Sequence, residues 1–258
     1  MTKMILSGLC AAALSCTPTQ LSAQAPAGEI PLSGHISAEM ANRFHAALED
    51  GKPHMVRVTS SGGEDAPALA IAADIARSRS SLMVEGICAG PCANYLFMAA
   101  ARRTVQPGAL VIFTASASSR LAMVPQEQWK QVSDLYERAA QQERQLLQDR
   151  RINPALLLEP QLGLGTSCYS LTSRDTTGKA YINYQARFVG WTPSRAWLTR
   201  AGASVSGFWP DTDAQFQAAL QKAIPGGARG SVSYSAAKTP ATETALRDRL
   251  AAIPECRK

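Results

Sequence analysis

The segment from Val56 to Thr114 constrains the fold of this 258-residue chain more than any other part of its sequence. Its hydrophobic pattern switches between the alternation typical of strands and the three-to-four-residue spacing typical of helices. The pattern predicts strands over residues 54–59, 81–85 and 109–113, and helices over 66–77 and 92–101. Because strands that alternate with helices pair in parallel through right-handed crossovers, the sequence predicts an α/β domain.

Residues that permit sharp turns gather where these predicted strands end. The first strand ends in Ser-Ser-Gly-Gly at 60–63, the second is followed by Gly90 and Pro91, and the third by Thr114. Sites in parallel sheets form at the carboxyl ends of the strands. The sequence therefore predicts a cleft at this edge of the sheet.

This segment resembles the ClpP/crotonase-like superfamily, most closely the ClpP-like proteins of bacterial envelopes. Residues 60–63 match Ser-x-Gly-Gly, residues 86–93 match Gly-x-Cys-x-Ser-x-Cys-Ala, and residues 103–114 match Arg-x-x-x-Pro-Gly-Ala followed by an apolar strand and histidine. The resemblance covers roughly residues 29–150. It implies a spiral of β-β-α units over residues 24–203, with residues 204–258 forming a small C-terminal α+β extension packed on it.

The chain departs from the family pattern at the positions that carry chemistry. Gly90 occupies the place of the nucleophilic serine, and Thr114 that of the general-base histidine. Acyl transfer requires an activated hydroxyl and a base, and neither residue supplies one. Pro91 has no N–H to donate to an oxyanion. We therefore expect a non-catalytic protein without a cofactor, whose vestigial cleft at Gly62, Gly63, Gly90, Pro91 and Thr114 serves binding of an unidentified peptide or protein, or assembly.

An active serine-type hydrolase or peptidase with a rearranged centre is the alternative. Its candidate nucleophiles and lysine bases are Ser60, Ser61, Ser116, Ser118 or Cys92 with Lys52, Lys130 or Lys179. A shifted alignment brings Cys92 into the nucleophile position but supplies no histidine. The third member of a triad has two weakly supported candidates, Asp149 and Asp175. Acyl-CoA chemistry of the crotonase branch is disfavoured because Pro91 removes one of its two oxyanion amides.

Residues 1–23 have the features of a secretory signal peptide. Lys3 precedes a short apolar run, and small residues lead to a cleavage site after Ala23. The apolar run is shorter than the roughly 20 residues that span a bilayer. These features predict export to the periplasm and no transmembrane segment. A lipoprotein anchored at Cys16 is the competing interpretation.

The charge balance gives little sign of a charged partner. The formal net charge is +6, and removal of residues 1–23 takes away one lysine and no acidic residue. Basic residues are spread along the chain without an aromatic-interleaved groove, so no nucleic-acid binding is expected. The spacing of His35, His45 and His54 matches no metal site.

Four cysteines follow the predicted signal peptide, and in an oxidising compartment they predict two disulfides. Cys88 and Cys92 flank the predicted turn at a separation compatible with a bridge. Elimination then pairs Cys168 with Cys256. A zinc site is the rival, disfavoured by the cysteine spacing. A catalytic Cys92 thiol is also disfavoured, since no histidine is placed to activate it.

Two further features each have two interpretations. Pro125 begins a long predicted helix that runs roughly to Arg151, with a partial apolar stripe. In ClpP-type assemblies a helix at this place joins subunits, which implies a homo-oligomer; alternatively the stripe covers the domain's own core. Four aromatic residues cluster late in the sequence: Trp191, Trp197, Phe208 and Trp209. They predict core packing in preference to an aromatic ligand groove.

Overall fold

The computed structural model describes residues 28–123, 129–158, 167–174, 178, 180–187, 190–226, 232–234 and 248. For residues 122–123, 129–135, 167–174 and 180–187 it describes the backbone alone. The predicted signal peptide, Cys16, Pro125, Asp175, Lys179 and Cys256 therefore lie outside the described residues, as do the side chains of Lys130 and Cys168.

Strands and helices alternate through the first half of the chain, as the sequence predicts. In order, this part contains β1 (Glu29–Ser33), α1 (Ala38–Ala47), β2 (Met55–Ser60), α2 (Asp65–Arg77), β3 (Ser81–Ala89), a π-helix (Cys92–Phe97), β4 (Arg103–Val105), β5 (Leu110–Ile112), α3 (Ala117–Met123) and α4 (Trp129–Asp149). The second half contains β6 (Ser167–Arg174), β7 (Ala180–Arg187), β8 (Gly190–Thr192), α5 (Arg195–Arg200), β9 (Ser206–Gly207), α6 (Asp213–Ala223) and β10 (Val232–Tyr234).

The main sheet is parallel throughout and confirms the predicted α/β class. Its strands lie in the order β1-β2-β3-β4-β9, with β5 attached to the last residues of β3. A short parallel pair of β8 and β10 joins β5 through an antiparallel bridge between Phe113 and Trp191. Only β6 and β7 form an antiparallel hairpin among the described strands.

β3 changes partners along its length, and this change positions Gly90 at its carboxyl end. Its first half pairs with β4 at Leu82 to Val84, and its end pairs with β5 at Ile87 to Ala89. The register with β2 shifts across the same place, because Val58 lies opposite Val84 whereas Ser60 lies opposite Cys88. The extra residues in β3 change the direction of the strand, as a β-bulge does.

The core lies between the sheet and the helices that cover one face of it. Val56 and Val58 from β2 and Leu82 and Val84 from β3 have no solvent exposure. Their period of two places them on one face of the sheet. α2 contributes the matching apolar stripe at helical spacing: Ala68, Ile71, Ala72 and Ile75. Burial of this stripe accounts for the α2 position beside the carboxyl ends of β2 and β3.

Two local predictions are wrong, each for an identifiable reason. The Ser/Ala composition of residues 114–124 predicts a loop, but the segment contains α3, because the Ser116 hydroxyl accepts from the Ser119 N–H and caps the helix. The sequence pattern predicts that Trp191 opens a helix, but it belongs to β8, and Ser194 caps α5 instead. The helix predicted over residues 92–101 is present and begins as a π-helix, and the Phe97 and Met98 carbonyls at its end accept from the Arg103 guanidinium.

None of the helices in the described part of the chain is both long enough and apolar enough to cross a membrane.

Candidate functional site

Gly90 forms a sharp bend between β3 and the π-helix. Its φ is +55°, a left-handed conformation that glycine adopts without a steric penalty. The Gly90 N–H donates to the Ile112 carbonyl (2.9 Å), and the Gly90 carbonyl accepts from the Asn94 N–H (2.8 Å). The bend is therefore fixed on one side by β5 and on the other by the π-helix.

The glycine pair at the end of β2 makes a close backbone contact with the chain after β1. The Ile36 N–H donates to the Gly62 carbonyl (2.9 Å), and the Ile36 carbonyl accepts from the Glu64 N–H (3.0 Å). A Cβ on Gly63 would lie 2.2 Å from the Ile36 carbonyl oxygen, so only glycine fits here. Neither bond uses the Gly63 N–H.

Thr114 is held at the end of β5 by a buried asparagine. The Asn94 amide donates to the carbonyls of Thr114 and Ala115, both at 3.2 Å, and its oxygen accepts from the Thr114 N–H (3.3 Å). Asn94 is fully buried, whereas Thr114 is half-buried. The π-helix thus fixes the position of the residue that would carry the base.

These predicted site residues converge in space although they are far apart in sequence. A Cβ built on Gly90 would lie 3.2 Å from the Thr114 hydroxyl oxygen and 4.0 Å from the Gly62 Cα. A Cβ built on Gly62 would lie 3.5 Å from the Pro91 Cδ. The structure therefore brings together Gly62, Gly90, Pro91 and Thr114, whereas the close contact of Gly63 is with Ile36.

The chemistry available at this point of convergence is limited. Gly62, Gly63 and Gly90 have no side chains, the backbone groups of Gly62 and Gly90 are bonded within the chain, and Pro91 has no N–H. The Thr114 hydroxyl can donate or accept a hydrogen bond, but a neutral alcohol is a poor base near pH 7. The described side chains include no group of histidine, cysteine, aspartate and glutamate that could hold a metal ion. The arrangement supplies no nucleophile with an adjacent base.

The alternative nucleophiles have other contacts. The Ser60 hydroxyl donates to the Gly34 carbonyl (2.6 Å) and is 1 % exposed. Ser116 and Ser118 are buried, whereas Ser61 and Lys52 are exposed. No contact between the described side chains joins Lys52 to any of these serines. Asp149, a candidate third triad member, accepts from the Gln145 amide (2.7 Å).

A disulfide spans the Gly90–Pro91 bend. The Sγ atoms of Cys88 and Cys92 lie 2.05 Å apart, and both residues are fully buried. The bridge joins the end of β3 to the start of the π-helix and leaves Cys92 without a free thiol. The predicted Cys168–Cys256 pair lies outside the described side chains.

A buried polar cluster beside the cleft is absent from the sequence-based predictions. Glu143 of α4 is 2 % exposed and accepts from the Ser116 hydroxyl (3.0 Å), the Tyr95 hydroxyl (3.2 Å) and the Ser118 N–H (3.2 Å). Tyr95 also lies 3.3 Å from a carboxylate oxygen of Asp65. Burial raises the pKa of Glu143 to about 7, because burial penalises its charged form.

The sequence carries a signal for this cluster. Ala139, Ala140, Leu146 and Leu147 form the buried face of α4, and Glu143 falls between them at helical spacing. An acidic residue inside an apolar stripe is rarely buried without partners. Applied to α4, this rule would have singled out Glu143.

The described half of α4 also bears on the predicted oligomer. Its apolar residues face α2 and α3, while its exposed positions from 137 to 149 are polar or charged. This pattern supports the interpretation that the helix covers its own domain. The late aromatic residues likewise favour packing. Trp209 stacks on Phe97 with 6.1 Å between ring centroids, and its indole N–H donates to the Pro193 carbonyl (2.8 Å).

A scan against protein-family models finds no match for this chain, and a search of the curated proteins finds no significant similarity. The resemblance to the ClpP/crotonase-like superfamily thus depends on the motifs of residues 60–114 and stays a prediction.

Proposed function

We propose that this protein is an exported, non-catalytic member of the ClpP/crotonase-like superfamily, whose degenerate site serves as a binding or assembly cleft. The motif order supports the family assignment, and the bend of β3 between β4 and β5 agrees with a spiral of β-β-α units. The ligand class is a peptide or protein, as the family resemblance implies.

The convergence of Gly62, Gly90 and Thr114 is the observation that carries this proposal. A side chain on residue 90 would point at residue 114, since its Cβ would lie 3.2 Å from the Thr114 hydroxyl oxygen. The family resemblance requires these two positions to lie close together, since a nucleophile and its base must meet. The two positions hold glycine and threonine, so this chain has neither group there.

Pro91 adds an independent argument against acyl transfer. The oxyanion of a tetrahedral intermediate needs N–H donors at the bend, and the loss of one donor costs about 2.7–4 kcal/mol of transition-state stabilisation. Restoring a hydroxyl at residue 90 would therefore leave a second defect in place. The missing nucleophile, base and donor together favour binding over catalysis.

The alternative, a serine-type hydrolase with a rearranged centre, has less support. Cys92 is bound to Cys88, Ser60 is bonded to Gly34, and Ser116 is bonded to Glu143. Ser61 is exposed but has no described base beside it. The buried disulfide fits an oxidising compartment, which agrees with the proposed export of the chain.

Fluorophosphonate labelling tests this proposal directly. The protein without residues 1–23 is purified, treated with the probe and measured by intact mass, with an active serine protease as positive control. We expect no labelled fraction. Labelling that maps to any serine and disappears when that serine is changed to alanine would refute the non-catalytic assignment and support the hydrolase.

A further inference from the structure

The buried cluster around Glu143 joins α4 to the wall of the cleft, and the proposed binding function does not account for it. Ser116 and Ser118 follow Thr114 closely in sequence, Tyr95 follows Asn94, and Asp65 follows Gly63. All four contribute hydrogen bonds to the cluster. A change in the ionisation of Glu143 would therefore alter hydrogen bonds of residues that lie close in sequence to Thr114, Asn94 and Gly63.

The charged and titratable groups around Glu143 come from each element packed against it. α2 contributes Asp65, the π-helix contributes Tyr95, and α3 contributes Arg120, which is paired with Asp65. Along α4 itself, Glu137 and Arg144 point to solvent. The three donors that contact the Glu143 carboxyl are all neutral. No described cation contacts the Glu143 carboxylate, so its ionisation leaves a buried charge.

Counting protons shows why the cluster fits a protonated Glu143. The Tyr95 oxygen accepts from the Ala117 N–H (2.9 Å) and has one proton, yet it lies within 3.3 Å of both Asp65 and Glu143. A protonated Glu143 can donate to Tyr95, and Tyr95 then donates to Asp65. When Glu143 is ionised, both carboxylates compete for the one Tyr95 proton. Ionisation thus leaves a buried acceptor short of a donor.

We propose that Glu143 is a proton-dependent latch that holds α3 and α4 against the cleft wall and loosens residues 114–121 when it loses its proton. The carboxyl is the contact that ties α4 to three separate segments of the chain: the π-helix, Ser116 and the start of α3. Ionisation places an uncompensated buried charge at this shared contact, and opening of α3 and α4 lets water reach that charge.

The direction of the pH effect follows from linkage. The pKa of Glu143 is raised in the folded chain from 4.5 to about 7, so the closed state binds a proton that the open state releases. The stabilisation is full below about pH 4.5, falls as the pH rises, and is lost above about pH 7. Opening of the latch should increase about tenfold per pH unit within that window and then level off.

Hydrogen exchange of the full protein tests the latch without any ligand. Amide protection factors of residues 114–121 and 139–147, corrected for intrinsic exchange, are compared from pH 5 to pH 8.5 in wild type and Glu143→Gln. We expect protection in wild type to fall about tenfold per pH unit up to pH 7 and then level off, and to be flat in the variant. Parallel profiles in the two proteins would overturn the proposal.

A second variant covers the case in which Glu143→Gln does not fold. The Ser116 hydroxyl stabilises the ionised carboxylate, so Ser116→Ala should raise the Glu143 pKa further and move the levelling point to higher pH. A purely structural role of Ser116 would lower protection equally at every pH. An unmoved levelling point therefore refutes the latch. Either result leaves the fluorophosphonate test of the proposed function unaffected.

Discussion

Among the glycines of the predicted site, Gly63 makes the closest backbone contact. It lies against the Ile36 backbone, where any Cβ would approach the carbonyl oxygen to 2.2 Å. The glycine of the Ser-x-Gly-Gly motif therefore has a packing reason that is independent of catalysis. This reason explains how the motif can be kept in a chain that lacks the nucleophile.

Replacing Gly63 with alanine should destabilise the protein strongly. The matched control is Gly34→Ala, which also has a positive φ (+96°) but has open space around its Cβ. The control should lose about 1–2 kcal/mol for the left-handed backbone. Overlap with Ile36 should add about 1–3 kcal/mol in the Gly63 variant. Urea unfolding measures the difference, and equal losses in the two variants would contradict the close contact.

The bend around Gly90 depends on two elements that the disulfide joins. Reducing or removing the Cys88–Cys92 bridge frees the end of β3 from the start of the π-helix. The loop that the bridge closes is short, so the chain-entropy contribution is about 2 kcal/mol.

We expect the double variant Cys88→Ala/Cys92→Ala to lose about 2 kcal/mol of unfolding free energy. Wild type unfolded in the presence of a thiol reductant is the matched control and should show a similar loss. Chemical denaturation with mass determination of the free thiols makes the comparison. No loss in the double variant would show that the bridge does not stabilise the bend.

Substitutions in α4 distinguish the two interpretations of its apolar stripe, which are a cover for the domain's own core and a contact between subunits. Leu147 is 2 % exposed within the monomer, whereas the adjacent Gln148 is exposed. If the stripe covers the domain's own core, Leu147→Ala should cost about 2–5 kcal/mol of stability and leave the molecular mass in solution unchanged. Gln148→Ala should change neither. A change in oligomeric mass with unaltered stability would instead favour the subunit contact implied by the family resemblance.

The strands and helices show how much of the fold can be predicted from the sequence alone. β2, α2, β3 and β5 follow from hydrophobic period, because each buries an apolar face, whereas β4 (Arg103–Val105) is not predicted. α3 escapes prediction because alanine and serine carry little apolar contrast, and its cap depends on the Ser116 hydroxyl. The register shift of β3, which aims Gly90 at Thr114, depends on pairing with two different strands. No local pattern specifies such a shift.

At the scale of the whole molecule, Glu143 makes the stability depend on pH. Its pKa is raised by burial from 4.5 to about 7, and the pKa of Asp65 is shifted upward by burial as well. The folded chain therefore holds more protons than the unfolded chain in this interval, and its stability falls as the pH rises.

Between about pH 4.5 and 7, wild type should lose up to about 3 kcal/mol of unfolding free energy through Glu143. Glu143→Gln removes this contribution, so its profile should be flatter by that amount. Urea unfolding at half-unit pH intervals gives both curves. The opposite result is a stability that rises with pH across this interval in wild type but not in Glu143→Gln. It would contradict a raised pKa of Glu143 in the folded chain.

The central proposal is that this chain resembles an acyl-transfer protein at Gly62, Gly90 and Thr114 but lacks the groups that perform acyl transfer. Turnover of peptide and ester substrates by the purified protein without residues 1–23 tests it most directly. The rate should equal the background rate measured without protein, and Ser61→Ala should leave it unchanged. Turnover above background that a single substitution near the Gly90–Pro91 bend abolishes would contradict the claim.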